Sequence, residues 1–253
     1  MNGETRMIEN AQLIGLSRQM ALRRQLDVVA NNVANINSTG FKAEALLFEE
    51  YIMPVAADRS FPGGSQQLSY VHDWATLHDM QPGSFTQTGN PLDVALTGQG
   101  FLTVQGPEGI RYTRNGALEI DADGVLVTQN GYPVLSEGGN TIVFNPDEID
   151  IAITADGVIS TNAGAKGRLG VVEFADPQEL TRTGDTMFAG STPMAAQSTR
   201  VVQGSLERSN VSGVAAMTEM IRVTQAYTSL ADLMNKQDEL RRSAIQRLGD
   251  AQA

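Results

Sequence analysis

Leu22, Leu26, Val29, Val33 and Ile36 follow one another at four- and three-residue steps near the start of this chain, and Met220, Val223, Tyr227, Leu230 and Met234 repeat the pattern near its end. Steps of this kind line up on one narrow stripe of a helix, the arrangement of a coiled-coil seam. Between the two stripes lies a Gly-rich middle with the short alternations of strands. The predicted fold class is therefore mixed α and β: long N- and C-terminal helices forming a coiled-coil-like pair, with a central, mostly antiparallel β domain. A long helix cannot bury its stripe against a distant β domain of its own chain, so the layout is that of an assembly protein. Pairing within one chain is expected to be marginal, because ordering so many residues offsets most of what the stripe gains, and neighbours would complete it.

With 253 residues, 41% hydrophobic and 19% charged, the chain has enough apolar material for one large core or two smaller ones. No apolar run reaches 18 residues, so no bilayer-spanning helix is expected. The start, MNGETRMIENAQLIG, has neither the basic opening nor the apolar core of a secretory signal. The expectation is a cytoplasmic chain or one exported without a cleaved signal. The absence of cysteine excludes disulfides, thiolate chemistry and Cys-ligated metals. The net charge of -11 is concentrated in residues 51–204, which hold 7 basic against 17 acidic side chains, while both termini are close to neutral. Without a basic stripe there is nothing to displace counterions from phosphates, so a nucleic-acid partner is excluded.

The first helix is predicted from about Met7 to Ala34, ending in the turn-forming string Asn35-Ile36-Asn37-Ser38-Thr39-Gly40. Residues 1–50 are assigned to this helix and its loop. Residues 51–84, punctuated by Pro54, Pro62-Gly63-Gly64 and Pro82-Gly83, read as an extended connector. Residues 85–190 form the β domain, with strands expected at 92–96, 101–104, 124–127 and 169–174. Asn115-Gly116, Asp123-Gly124, Asn130-Gly131, Gly138-Gly139 and Asp156-Gly157 supply its hairpin turns. Residues 191–210 return to the last helix, residues 211–253, with Ser212 as its N-cap and Gly249 as its stop.

Three stretches carry a family resemblance. Ala30-Asn31-Asn32-Val33-Ala34-Asn35 with Ser38-Thr39-Gly40-Phe41-Lys42 resembles the N-terminal signature of the bacterial flagellar rod, hook and hook-associated proteins. Pro91-Leu92-Asp93-Val94-Ala95-Leu96, Gly100-Phe101-Leu102 and Tyr112-Thr113-Arg114-Asn115-Gly116 are similar to the central β domain of the rod and hook members. Gln203-Gly204-Ser205-Leu206-Glu207-Arg208-Ser209-Asn210-Val211 resembles their C-terminal entry motif. Val214-Ala215-Ala216-Met217 and Met220-Ile221 are most like the proximal rod members, and Gln225-Ala226-Tyr227-Thr228 departs from the distal ones. The resemblance implies a structural subunit of the basal-body rod, the drive shaft that crosses the periplasm and transmits torque for motility. Its partners would be other rod proteins, further copies of itself in a helical polymer, and the flagellar type III export apparatus. The assembly interface would include the ten stripe residues together with Asn31, Asn32 and Asn35, whose amides could fix register between helices; capping of the helix end is the alternative for Asn35 and for Asn37.

Other functions are weighed against this one. A distal rod or hook-type member of the same family is the near alternative, and a metal enzyme built on the β domain is the distant one. Glu119-x-Asp121-x-Asp123-Gly124 has the opening of a calcium loop, but its twelfth position is Asn130 rather than a bidentate Glu, so an Asp-Gly hairpin is expected. His72-Asp73 and His78-Asp79 could hold a metal but lie in the connector without a third group. Gly98-x-Gly100 lacks the third glycine of a dinucleotide fingerprint, and no Gly-Lys-Ser/Thr occurs. No catalytic residue, metal or cofactor is therefore expected.

Overall fold

A computed structural model of the chain describes residues 2–54, 67–184 and 186–250. The chain divides into two compact units, each discontinuous in sequence. One contains Met1–Val33, Glu44–Leu77 and Gly213–Ala253; the other contains Ala34–Ala43 and His78–Ser212.

The first unit holds helices α1 (Asn2–Ala34) and α2 (Gly213–Asp250) and a two-stranded sheet of β1 (Glu44–Pro54) and β2 (Gln67–His78). Neither helix contains proline, and the two run side by side at Gly15, where a Cβ would make ordinary van der Waals contact with Met234 Sδ at 3.5 Å. Further along, Gln19 Nε2 donates to Tyr227 Oη at 3.3 Å and Gln25 Nε2 to Glu219 Oε1 at 2.7 Å. Contacts at 15/234, 19/227 and 25/219 make the two helices antiparallel. No described helix is long and apolar enough to cross a membrane.

The coiled-coil-like pair expected from the sequence is not what this unit shows. Of the ten stripe residues only Val29 and Val223 are buried; the other eight are partly covered, and Ile36 lies beyond the end of α1. The covered face of α1 also takes in Gln25, Val28 and Asn32, which is wider than a two-in-seven seam. The physical reason is the sheet. Asn32, buried in the last turn of α1, donates from Nδ2 to Glu44 O (2.7 Å) and accepts from Glu44 N at Oδ1 (2.9 Å), so one side of α1 is tied to the start of β1 rather than to a second helix. Three- and four-residue apolar steps fit both arrangements, and the period alone does not separate them. The strands β1 and β2 also occupy residues assigned to the N-terminal loop and the connector; residues 55–66 of that connector lie outside the described residues.

The second unit is built from short strands: β3 (Phe85–Gln87), β4 (Val94–Thr97), β5 (Phe101–Gly106), β6 (Gly109–Thr113), β7 (Leu118–Ile120), β8 (Leu126–Thr128), β9 (Ala152–Ile153), β10 (Val158–Thr161), β11 (Gly164–Arg168), β12 (Val171–Glu173), β13 (Thr181–Arg182), β14 (Met187–Ala189), β15 (Met194–Ala195), β16 (Arg200–Gln203) and β17 (Ser205–Glu207). Its largest sheet has the order β13-β14-β6-β5-β12-β15, with antiparallel pairing throughout. Strand β5 is covered on both faces. Leu102 and Val104 enter an aliphatic core with Leu118, Leu126 and Leu169, and Phe101 points into an aromatic cluster with Tyr112, Phe174 and Phe188. Edge-to-face pairs at 4.8 Å (Tyr112–Phe174) and 5.8 Å (Phe101–Phe174 and Phe101–Phe188) set that cluster's geometry.

Four of the five predicted turn glycines, Gly124, Gly131, Gly139 and Gly157, have φ between 79° and 80°. Gly116 differs. Its amide plane lies against β4, where its carbonyl accepts from Val94 N at 2.9 Å, and a Cβ would fall 1.8 Å from Val94 O. Asn115-Gly116 therefore marks a close backbone approach and not a hairpin turn. At the Asp123-Gly124 turn, Asp121 Oδ1 accepts from Asp123 N (2.9 Å) and Val125 N (2.8 Å), so this carboxylate shapes the hairpin.

Tryptic cleavage tests this division. Arg18, Arg23, Arg24 and Arg222 are exposed on the helices, whereas Lys42 is 1% exposed inside the β unit. Brief digestion of the purified chain should cut at the helical sites and spare Lys42 and Arg114; early cleavage after Lys42 would show that residues 34–43 do not belong to the β unit.

Candidate assembly site and the buried junction

Residues 34–43 leave the end of α1 and pass into the β unit as a strap. Asn35 closes the turn: its carbonyl accepts from Ser38 N (3.2 Å) and its Oδ1 from Ser38 Oγ (2.9 Å). The strap is then bound along its length. Gly40 N donates to Glu207 O (2.8 Å), Ala43 N to Asn210 Oδ1 (2.7 Å), and Asp79 N to Ala43 O (2.8 Å). Arg182 donates to the Lys42 carbonyl and lies 4.2 Å from the centre of the Phe41 ring, a cation–π contact in a buried setting. Gly40, at φ 68°, passes so near the next segment that a Cβ would sit 2.3 Å from Arg114 C.

At the centre lies a cluster of three charges. Lys42 Nζ donates to Glu207 Oε1 at 2.6 Å and to Gln81 O at 2.7 Å, and Arg114 Nη1 stands 3.6 Å from Glu207 Oε2. Lys42 and Glu207 are 1% exposed and Arg114 2%. Glu207 Oε1 also accepts from Gly83 N (3.0 Å), and Arg114 donates to the carbonyls of Leu96 (3.3 Å) and Gly98. Burial pulls the Lys42 ammonium below its ordinary pKa, opposed by the Glu207 carboxylate, and burial likewise lowers Arg114. Two cations thus share one carboxylate away from water, and removing that carboxylate would leave both uncompensated.

The residues expected to form an assembly interface divide into several groups. Val29, Val223 and Asn32 are buried within their own chain, and Leu22, Leu26, Val33, Met220, Tyr227, Leu230 and Met234 are partly covered on the helices. Asn31 is exposed beside a cavity of about 580 Å³ lined by Met20, Arg23, Arg24, Asp27 and Glu44. Asn35 and Ile36 belong to the turn after α1. A second set of apolar residues stands outward: Leu13, Leu16 and Met20 on α1, and Val214, Met217 and Ile221 on α2, each trio at three- and four-residue steps, with Val214 81% and Met20 66% exposed. Sequence reasoning missed this second stripe because both stripes share one period and only packing tells them apart. It also gave Glu207 and Arg114 no role, although both stand in the family-like segments; positions 42, 114 and 207 form no local motif. Of the proposed metal groups, His78 is buried edge-on to Phe188 at 5.4 Å, and the side chains of His72 and Asp73 lie outside the described residues.

The segments that build the strap, the β unit and α2 match three family descriptions in chain order. They are "Flagella basal body rod protein" over residues 13–42, "Flagellar hook protein FlgE/F/G D1 domain" over 95–161, and "Flagellar basal body rod FlgEFG protein C-terminal" over 202–247. The chain is 40% identical over 249 residues to the flagellar basal-body rod protein FlgF of Caulobacter vibrioides, covering 96% of this chain and 99% of that protein. The chain belongs to the flagellar basal-body rod protein family. It is also 31% identical to FlgF of Mesorhizobium japonicum, over 96% of this chain and 99% of the relative, and 31% identical to the rod protein FlgG of Bacillus subtilis, over 89% and 94%. Within this rod-family chain Lys42 closes the first matched segment, Arg114 lies in the second and Glu207 near the start of the third, so the ion cluster ties all three together.

Two glycine substitutions separate packing from backbone strain. Gly40→Ala should lower unfolding stability by about 2 kcal/mol or more, since it adds a backbone clash to a positive φ. Gly139→Ala, at φ 79° with open space around it, should cost only about 1 kcal/mol. Urea unfolding of both variants checks this; equal losses would mean that the strap does not press on Arg114.

Proposed function

We propose that this chain is a structural subunit of the flagellar basal-body rod, on the proximal side, and that it polymerises with copies of itself and with other rod components through its terminal helices. Similarity to FlgF of Caulobacter vibrioides, at higher identity and coverage than to FlgG of Bacillus subtilis, supports the proximal reading. The observation that carries the assembly surface is the outward apolar stripe of Leu13, Leu16 and Met20 on α1 and Val214, Met217 and Ile221 on α2. Three large apolar side chains per helix on one exposed line are unfavourable in water and are covered when neighbouring helices pack against them. Burying one such side chain contributes about 1.5–3 kcal/mol, so repeated contacts along a polymer add up quickly.

In this reading the subunit is not an enzyme. Its carboxylates at Asp121, Glu173 and Glu207 are engaged in backbone and ion-pair contacts that shape the β unit. The chain reaches the rod through the flagellar type III export apparatus without a cleaved signal, and it stands in the part of the rod that crosses the periplasm.

Met217→Glu and Ile221→Glu place a charge where the polymer would exclude water. Each should abolish swimming in soft agar and leave basal bodies without a completed rod, while the purified variant keeps the protection of Lys42 and Arg114 from trypsin. Normal motility in both variants would remove the outward stripe from the assembly surface.

A further inference from the structure

The strap is an unusual part of the β unit. Residues 34–43 lie before a 34-residue excursion, Glu44–Leu77, that belongs to the other unit, and the β unit resumes only at His78. Its last elements, β16 and β17, come from the far end of the sequence, where β16 pairs with β4 and β17 with β3. Strap and β17 meet at the ion cluster, with Lys42 from one, Glu207 from the other and Arg114 from the middle. Each of the three charges is thus supplied by a different third of the chain, and Glu207 is the carboxylate within reach of both Lys42 and Arg114.

The chemistry makes the cluster conditional. Before β17 arrives, Lys42 and Arg114 are two desolvated cations without the carboxylate that lies against both; before the strap arrives, a closed β17 holds the buried Glu207 on the Gly83 amide at 3.0 Å and a long contact to Arg114 at 3.6 Å, without its close ion pair. Partial burial is therefore disfavoured from either side. The last step joins all three charges with Gly40 N–Glu207 O and Ala43 N–Asn210 Oδ1, bonds that span 165 residues or more.

We propose that Lys42, Arg114 and Glu207 form a closure latch, so that the β unit becomes compact only when residues 34–43 and 205–207, which flank it in the chain, are both in place. A chain with one end missing or not yet delivered remains open. On the rod-subunit reading this keeps a secreted subunit from closing before its C-terminal helix is available for assembly; the latch itself does not depend on that reading.

The test uses the full-length purified chain and trypsin, since Lys42 and Arg114 are themselves tryptic sites hidden in the closed unit and cleavage follows the population of the open form. Glu207→Gln removes the charge and keeps the shape. It should raise the cleavage rate after Arg114 by at least about tenfold, with a smaller change after Arg200, which is exposed in the closed unit. Lys42→Met leaves Glu207 with Arg114 and keeps the apolar stem, and should raise cleavage after Arg114 by a smaller factor. The latch is overturned if Glu207→Gln leaves Arg114 as protected as in the parent chain. It is equally overturned if Glu207→Gln frees the strap for cleavage after Lys42 while Arg114 stays protected, because closure would then not require the strap. Should Glu207→Gln be digested throughout, Lys42→Met decides: Arg114 as protected as in the parent chain overturns the latch. None of these outcomes bears on the rod assignment, which the motility variants test separately.

Discussion

The Glu207 carboxylate, 1% exposed and held by Lys42 Nζ at 2.6 Å and Gly83 N at 3.0 Å, is where the strap, the return strand and the sheet meet inside the β unit. A buried charge is costly by itself, and breaking a buried pair by removing one partner costs about 3–5 kcal/mol because the other is left uncompensated. The geometry around it is correspondingly tight. Gly40 passes against Arg114 where no side chain fits, and Phe41 is enclosed beside Arg182. Asn210 accepts from Ala43 and donates to the carbonyls of Asp79 and Gln81. Strap, return strand and β sheet therefore share one set of polar contacts at a single junction.

The two units of the chain differ in their physics. The β unit is closed by short antiparallel strands, an aliphatic core and an aromatic cluster, with β5 covered on both faces. The helical unit leaves large apolar residues outward on both helices and ties α1 to β1 through the Asn32 amide. The exposure of Met20 and Val214 is the observation on which the proposed assembly surface rests. Membership in the flagellar basal-body rod protein family is consistent with that division, since a rod component meets other copies or other rod proteins along its length.

Much of the layout was legible in the residues. The helices were marked by their apolar period and by the absence of proline, and the hairpins by Asp-Gly and Asn-Gly pairs whose glycines adopt positive φ. Asn115-Gly116 carried the same two letters for another reason, the approach of β4, which only tertiary contact reveals. The coiled-coil expectation failed because a stripe at three- and four-residue steps states which face is apolar, not what lies against it; here part of the cover is a strand start held by Asn32. The strands β1 and β2 were obscured by Pro54 and Pro62-Gly63-Gly64, which read as connector punctuation. The ion cluster was out of reach of any local pattern, since Lys42, Arg114 and Glu207 are separated by 72 and 93 positions and each looks like a surface charge until burial is known.

Native-state hydrogen exchange at the amide of Gly40, whose N–H is bonded to Glu207 O, tests most directly whether the strap is part of the β unit. If the junction holds the unit together, Gly40 exchanges with the same opening free energy as Thr103, whose amide is bonded to Gly170 O in the central sheet, and both free energies fall in parallel as denaturant is added. If Gly40 instead exchanges through a low-energy local opening while Thr103 stays fully protected, the strap is an accessory and the junction does not carry the fold.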